Sequence, residues 1–303
     1  MIQQKAINFT KLKSGMIVAT VFSLWFSVYF NEAVETMISC ILIMSFGVLH
    51  GANDIRLIQT ERSNNSKSAF LKTISTYILV VAGILTLFFI FPVLALGLFI
   101  LISGYHFGEQ HWSKSMTIDS FWNSVYYTIY GLFILFMIFN LKNEQVVYIL
   151  KDIMGINLSA DLFEFAFIFL GCALFVFGVF HYLNQNLRSN VLEELFVLLV
   201  FFIIFKTASL LWGFCIYFIV WHSIPSLKDQ MDYLYGKSSW KAFLQYVKDS
   251  ILYWAISILG LIGLFWFLKN DTENLITVLI YFLAAITFPH VFVMSRLEKN
   301  FKN

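Results

Sequence analysis

Six histidines are the residues of this chain with the most obvious capacity for chemistry: His50, His106, His111, His181, His222 and His290. Each lies inside or at the end of a strongly apolar stretch. An imidazole in that setting is costly unless it faces the interior of a bundle and has a partner. Four carry local signatures: His50 in GVLHGANDIRLI, His106 in SGYHFGEQHW, His222 in YFIVWHSIPSLKDQ and His290 in ITFPHVFVMSRL. Neutral imidazole suits iron, copper and zinc. Catalytic zinc commonly takes three protein ligands and keeps a water. Four imidazoles with no thiolate or carboxylate favour Fe(II), which would carry a 2+ charge and leave room for dioxygen.

The neighbours of these histidines extend the pattern. Asp54 follows His50 by four residues, about 40° round a helix, and is placed to orient an imidazole through its second ring nitrogen. Gly51 leaves space for close helix approach. Glu109 follows His106 by three residues and shares its face, while Gly104 and Gly108 flank it. His111 is five residues from His106, about 140° round a straight helix, so the two cannot aim at one point. His106 is the deeper of the pair, and His111 belongs with Asp54, Glu109 and Asp229 as a supporting residue. Two of the three prolines, Pro225 and Pro289, sit beside His222 and His290. A proline frees a backbone carbonyl and bends a helix, a common device around a cavity at membrane depth. His181, in GVFHYLNQN, has no glycine, proline or carboxylate nearby and reads as an interfacial histidine outside the metal site.

The elements that must position these residues follow from composition. Of 303 residues, 59% are hydrophobic and only 13% charged, against about 25% charged in a soluble domain. Mean hydropathy is +0.78. An integral membrane protein follows. Disorder is excluded by the apolar content. A nucleic-acid partner is excluded by a net charge of +2 with no basic stripe. The three cysteines, Cys40, Cys172 and Cys215, make neither a CxxC pair nor a disulfide framework.

Apolar stretches at about 15–31, 36–53, 73–91, 93–112, 121–141, 161–183, 191–205, 207–224, 250–268 and 275–294 predict an all-α polytopic bundle of eight to ten spans. The weakest boundaries lie at Lys206 and Pro92. Runs such as FVLLVFFIIF do not alternate, which excludes barrel strands. With the N-terminus in the cytoplasm, sixteen of the 20 Lys and Arg fall on that side; only Lys142, Lys151, Lys206 and Lys269 fall outside. Five histidines (His50, His106, His181, His222, His290) then lie on even-numbered spans near one inner-leaflet depth. A lone membrane histidine is as often a helix-to-helix hydrogen bonder as a ligand; shared depth is what favours the metal. The expected organisation is an N-terminal tail (1–14), one transmembrane catalytic domain (15–298) and a short C-terminal tail (299–303).

At HGANDIRL (50–57), SGYHFGEQHW (103–112), WHSIPSLKDQ (221–230) and TFPHVFVMSRLE (287–298) the chain resembles the Brp/Blh family of bacterial and archaeal membrane proteins. Members of that family are β-carotene 15,15′-dioxygenases that make retinal for microbial rhodopsins. The likeness spans roughly 38–298. It implies iron held on His50, His106, His222 and His290, with O₂ as co-substrate and β-carotene cut at its central double bond into two all-trans-retinal. It also implies a cytoplasmic (inner) membrane location, with the metal near the cytoplasmic leaflet and a functional link to a rhodopsin.

A substrate dissolved in the bilayer needs an apolar tunnel. Aromatic residues make up 19% of the chain; Tyr105, Phe107, Trp212, Tyr217, Trp221 and Phe288 are candidates to line it, with packing or interfacial belts as the plain alternative. A di-iron desaturase is disfavoured because no HH pair occurs. A rhodopsin is disfavoured because the last span has no lysine for a Schiff base. A histidine-containing transporter would show internal repeats, which are not evident. A non-catalytic carotenoid binder or rhodopsin assembly factor stays open, since binding and cleaving a polyene need the same tunnel.

Overall fold

The computed structural model describes residues 2–62, 66–187, 189–268 and 275–302, with 2–11, 61–62 and 299–302 described by backbone alone. Arg188 and Lys269, both used in the charge asymmetry, lie outside the described residues, as does the end of the C-terminal tail at Asn303. The described chain is almost wholly helical, without sheet: α1 (Ile2–Tyr29), α2 (Glu32–Leu42), α3 (Val48–Gly51), α4 (Asp54–Arg62), α5 (Lys67–Ile90), α6 (Pro92–Trp112), α7 (Phe121–Leu141), α8 (Asn143–Met154), α9 (Asp161–Leu183), α10 (Val191–Thr207), α11 (Leu210–Ile216), α12 (Ile224–Tyr235), α13 (Trp240–Leu268) and α14 (Leu275–Lys302).

Nine segments among the described residues are long and apolar enough to cross a membrane. α10, the other apolar helix, is 17 residues long. The expected all-α polytopic bundle is what the chain forms. Two boundaries differ from the sequence reading. The segment carrying His50 runs on to Thr60 and the one carrying His222 runs from Leu210 to Tyr235, so both histidines lie inside their segments rather than at the ends. Apolarity stops near His50 and His222, but the hydrogen-bonded helix continues past them into polar sequence.

Local sequence explains the other breaks. Pro92 opens α6, where its missing N–H costs nothing. The break near Lys206 falls at Ala208–Ser209, and the Ser209 hydroxyl caps α11 at the Trp212 amide. Burial separates centre from periphery. In their most apolar 18-residue stretches, Leu210–Tyr235 and Leu275–Glu298 have 78% and 72% of residues buried, whereas Trp240–Leu268 and Asp161–Leu183 have 6% and 11%. The two central segments are those that carry His222 and His290.

α6 and α7 make the tightest pair. A Cβ built on Gly108 would lie 1.9 Å from the Tyr127 carbonyl oxygen, and one on Gly131 would lie 1.8 Å from that of Gly104. Only glycine lets the two backbones meet, the small-xxx-small device of membrane helices.

Candidate metal centre

Four imidazoles from four segments meet in the centre of the bundle. His50, His106, His222 and His290 are 5%, 2%, 2% and 4% exposed. Around the cluster, ring centroids are 5.2 Å apart for His50–His222, 4.7 Å for His222–His106, 5.3 Å for His106–His290 and 4.7 Å for His290–His50. Each adjacent pair stands edge to face. One ring nitrogen from each of His50, His222 and His290 lies within 4.8 Å of the others.

Their hydrogen bonding is unusual for buried polar groups. His50 Nδ1, both nitrogens of His106, His222 Nδ1 and His290 Nε2 are buried without a hydrogen-bond partner among the described residues. Buried polar atoms are nearly always satisfied, and a cluster of exceptions asks for an explanation. Lone pairs converging from neutral imidazoles are the donor set that a divalent first-row metal uses. His50, His222 and His290 fit such an ion as they stand, while His106 adjoins them by its ring, 4.7 Å from His222 and 5.3 Å from His290, without a nitrogen in the same close group.

Two departures from regular α-helix aim the rings. Ile43–Gly47, just before His50, and Tyr217–Ser223, which contains His222, are π-helical, and the two turns pack against each other. A π-turn changes the direction of every later side chain and recurs at functional sites. The carbonyls it frees need donors. The Trp254 indole donates to the Met44 carbonyl (2.8 Å) and the Ser223 hydroxyl to the Phe218 carbonyl (2.9 Å). Pro225 follows the second π-turn in the first turn of α12, and Pro289 sits inside α14 directly before His290.

A second layer fixes the ligating set. The His290 Nδ1 proton donates to Asp54 Oδ1 at 2.8 Å, which leaves Nε2 bare; the Tyr77 hydroxyl donates to Asp54 Oδ2 at 3.0 Å. Such a carboxylate fixes tautomer and ring orientation. Beneath His50, the chain pauses at Ala52–Asn53 before α4. There Gln230 Nε2 donates to the His50 carbonyl (2.7 Å), and the Tyr246 hydroxyl donates to Gln230 Oε1 (2.8 Å). Gln230 closes the WHSIPSLKDQ motif, which gives no hint of its bond to the His50 carbonyl. Tyr77, Tyr246 and Trp254 sit in stretches with no distinctive spacing, because each acts from another helix.

The other sequence candidates lie elsewhere. Glu109 accepts from the Tyr105 and Ser295 hydroxyls. Asp229 pairs with Gln110 and Lys114. His111 Nε2 lies 2.9 Å from Glu194 Oε2, and Glu194 also pairs with Lys13. α6 stays helical through Gly108, so His106 and His111 do point apart. A Cβ on Gly51 would sit 3.7 Å from His290 Nδ1, an ordinary contact, so glycine is not required there. His181 is buried at the end of α9 rather than interfacial: Asn186 Nδ2 lies 3.2 Å from its Nδ1 and the Trp122 carbonyl 3.4 Å from its Nε2.

The histidines line a small pocket of about 40 Å³, together with Phe107 and Leu283. Those two residues also line a neighbouring cavity of about 120 Å³, apolar apart from Ser103. Of the proposed tunnel aromatics, Phe107 touches this space, its ring 4.8 Å from that of His222. Trp212 and Trp221 instead donate to α1, at the Ser23 carbonyl and the Thr20 hydroxyl. Tyr217 packs on Phe107 and Phe201. Tyr105 bonds Glu109, and Phe288 is buried without lining the cavity.

A family model described as β-carotene 15,15′-dioxygenase matches residues 41–298. The chain belongs to that family. The match contains all four histidine motifs and agrees with the resemblance read from them. Membership carries the use of O₂ and a carotenoid substrate at the level of the family. Comparison with curated proteins and with solved structures gave no match.

Proposed function

We propose that this chain is a membrane-embedded, iron-dependent oxygenase that cleaves β-carotene at the central 15,15′ double bond. The observation that carries the reading is the cluster of four buried imidazoles with unpaired nitrogens beside an apolar cavity. β-Carotene and O₂ together contain all the atoms of two retinal molecules: the central C=C bond breaks and each carbon gains one oxygen. His50, His106, His222 and His290 are the residues that would hold Fe(II), and the bound ion would supply the redox chemistry that activates dioxygen. The chain's own residues do the rest. Asp54, with Tyr77 behind it, keeps the Nδ1 proton on His290 and presents Nε2. Gln230 and Tyr246 hold the backbone of His50. Phe107 and Leu283 place hydrocarbon against the histidines and keep water from the reacting bond, while the cavity brings that bond near by holding the polyene on one side.

Lys and Arg placement supports a cytoplasmic-membrane location with the histidines toward the cytoplasmic leaflet. Retinal released there is hydrophobic and would supply a microbial rhodopsin in the same membrane. The test is expression in a bacterium that accumulates β-carotene, with chromatography of the extract and iron analysis of the purified protein. Retinal as sole product from an iron-bearing protein is expected. Unchanged β-carotene with iron-loaded protein present would sink the reading and favour a carotenoid-binding or rhodopsin-assembly role.

A further inference from the structure

The cavity beside the histidines extends along α6 towards α8. Along α6 its lining runs from Leu96 to Phe107, a rise of about 16 Å of helix. At the near end Phe107 and Leu283 share it with the histidine pocket. At the far end it reaches α8, whose residues Val146, Ile149 and Leu150 form one apolar face at i, i+3 and i+4. Ile149 is the α8 residue common to this cavity and to an open recess of about 350 Å³, which Tyr148 of α8, Leu210, Leu211 and Ile276 also line and which Glu32, Thr36, Glu144 and Gln145 rim. α8 thus separates the hydrocarbon-lined space from a polar mouth. It is anchored on two sides, by Gln145 Nε2 donating to Glu32 Oε1 (2.9 Å) and by the Thr277 hydroxyl donating to Asp152.

We propose that α8 is a depth stop for one half of the polyene, and that Ile149 is the specificity-determining residue that sets which double bond lies at the histidines. The inference rests on the carotenoid-cleaving reading and adds its ruler. A terminal ring that enters past Phe107 travels through apolar space until it meets the Ile149 side chain. The distance between stop and histidines then fixes the register of the cut.

Two variants test this, each purified and checked for iron content before assay with β-carotene. Ile149→Ala removes the stop, so the polyene seats deeper. Part of the product is expected to change from retinal to an unequal pair, one aldehyde longer and one shorter, with no change in total carbon. Ile149→Trp fills the end of the cavity. With that space occupied, β-carotene retained by the metal-free protein should fall about tenfold or more, along with turnover. Iron-loaded Ile149→Ala that makes only retinal, or Ile149→Trp that retains β-carotene as the wild type does, overturns the depth stop and leaves the oxygenase reading standing. A wild type that yields no aldehyde at all overturns both.

Discussion

Two sets of histidines lie in the same bundle and differ in what their ring nitrogens touch. His111 and His181 are partnered. His111 meets Glu194 and stacks on Tyr130 with centroids 4.7 Å apart, while His181 is held between Asn186 and the Trp122 carbonyl. His50, His106, His222 and His290 are buried as His181 is, yet five of their ring nitrogens have no partner among the described residues. Burial is therefore not what separates His181 from them, while His111 is partly exposed as well as partnered. A chain that satisfies two of its six histidines with ordinary acceptors and donors could have satisfied the rest in the same way. Leaving them bare costs free energy unless another species takes up the lone pairs.

The largest effect that can break this comparison comes from truncating each histidine in turn. Alanine at position 50, 106, 222 or 290 should abolish turnover, by more than about a hundredfold, because loss of a ligand exceeds the 10–100-fold cost of losing its outer-shell support. Iron measured per protein should fall in parallel. His222→Ala with full iron occupancy would sink the ligand assignment.

The comparison sharpens on α6, where one helix carries both kinds of histidine and its glycines fix which way each points. Gly108→Ala drives a Cβ into the Tyr127 carbonyl, and helix and ligand must shift together. A loss of roughly 3 kcal/mol or more is expected, at or above the usual cost of overpacking. Gly97→Ala on the same helix meets nothing within 4 Å and should be neutral within about 0.5 kcal/mol. Thermal unfolding in detergent, read side by side for the two proteins, decides the point. Equal losses would mean that α6 and α7 are not held by glycine contact.

A smaller effect belongs to His290, whose Nδ1 is hydrogen-bonded to Asp54. Asp54→Asn keeps the shape but presents an amide that can donate to His290 Nδ1 and so favours the wrong tautomer. Metal affinity should drop about 10–100-fold, and Tyr77→Phe should drop it less, since it acts one bond further out. Titration of iron into metal-free protein measures both. An unaltered affinity in Asp54→Asn would show that the His290 orientation is set by Pro289 and packing alone.

How far sequence could reach is visible in these same residues. The four histidines were legible because each sits in an apolar run where an imidazole is out of place, and Asp54 because it follows His50 by one helical turn. The spans were legible from hydropathy. What stayed hidden came from other helices. Tyr77 reaches Asp54 across 23 residues of chain and Tyr246 reaches Gln230 from the next long helix, with nothing in their surroundings to mark them. The π-turn before His50 ends in Gly47 but holds no proline, and a lone glycine in an apolar run does not mark it; its consequence, a donor from Trp254 to a freed carbonyl, does. Glu109 and Asp229 show the converse error. Spacing put them near a histidine motif, but their side chains found Tyr105, Ser295, Gln110 and Lys114 instead.

The smallest effect is expected from the partnered set, and it tests the logic from the other side. His181→Ala leaves the Asn186 amide without one acceptor and the Trp122 carbonyl without one donor. Asn186 keeps its bond to Asn123 Oδ1 (2.9 Å), and its own Oδ1 still accepts from the Thr117 and Ile118 amides. The loss should therefore lie near the cost of one buried unsatisfied group, about 1–3 kcal/mol, with iron content and retinal yield per folded protein unchanged. His111→Ala should behave alike: Glu194 retains Lys13 as a charged partner at 2.8 Å, so the carboxylate is not left alone. If either variant loses iron while its helix content holds, the division between partnered and bare histidines fails as a guide to the site. If both lose stability but keep iron, the unpaired nitrogens rather than the mere presence of buried imidazole mark where the metal goes.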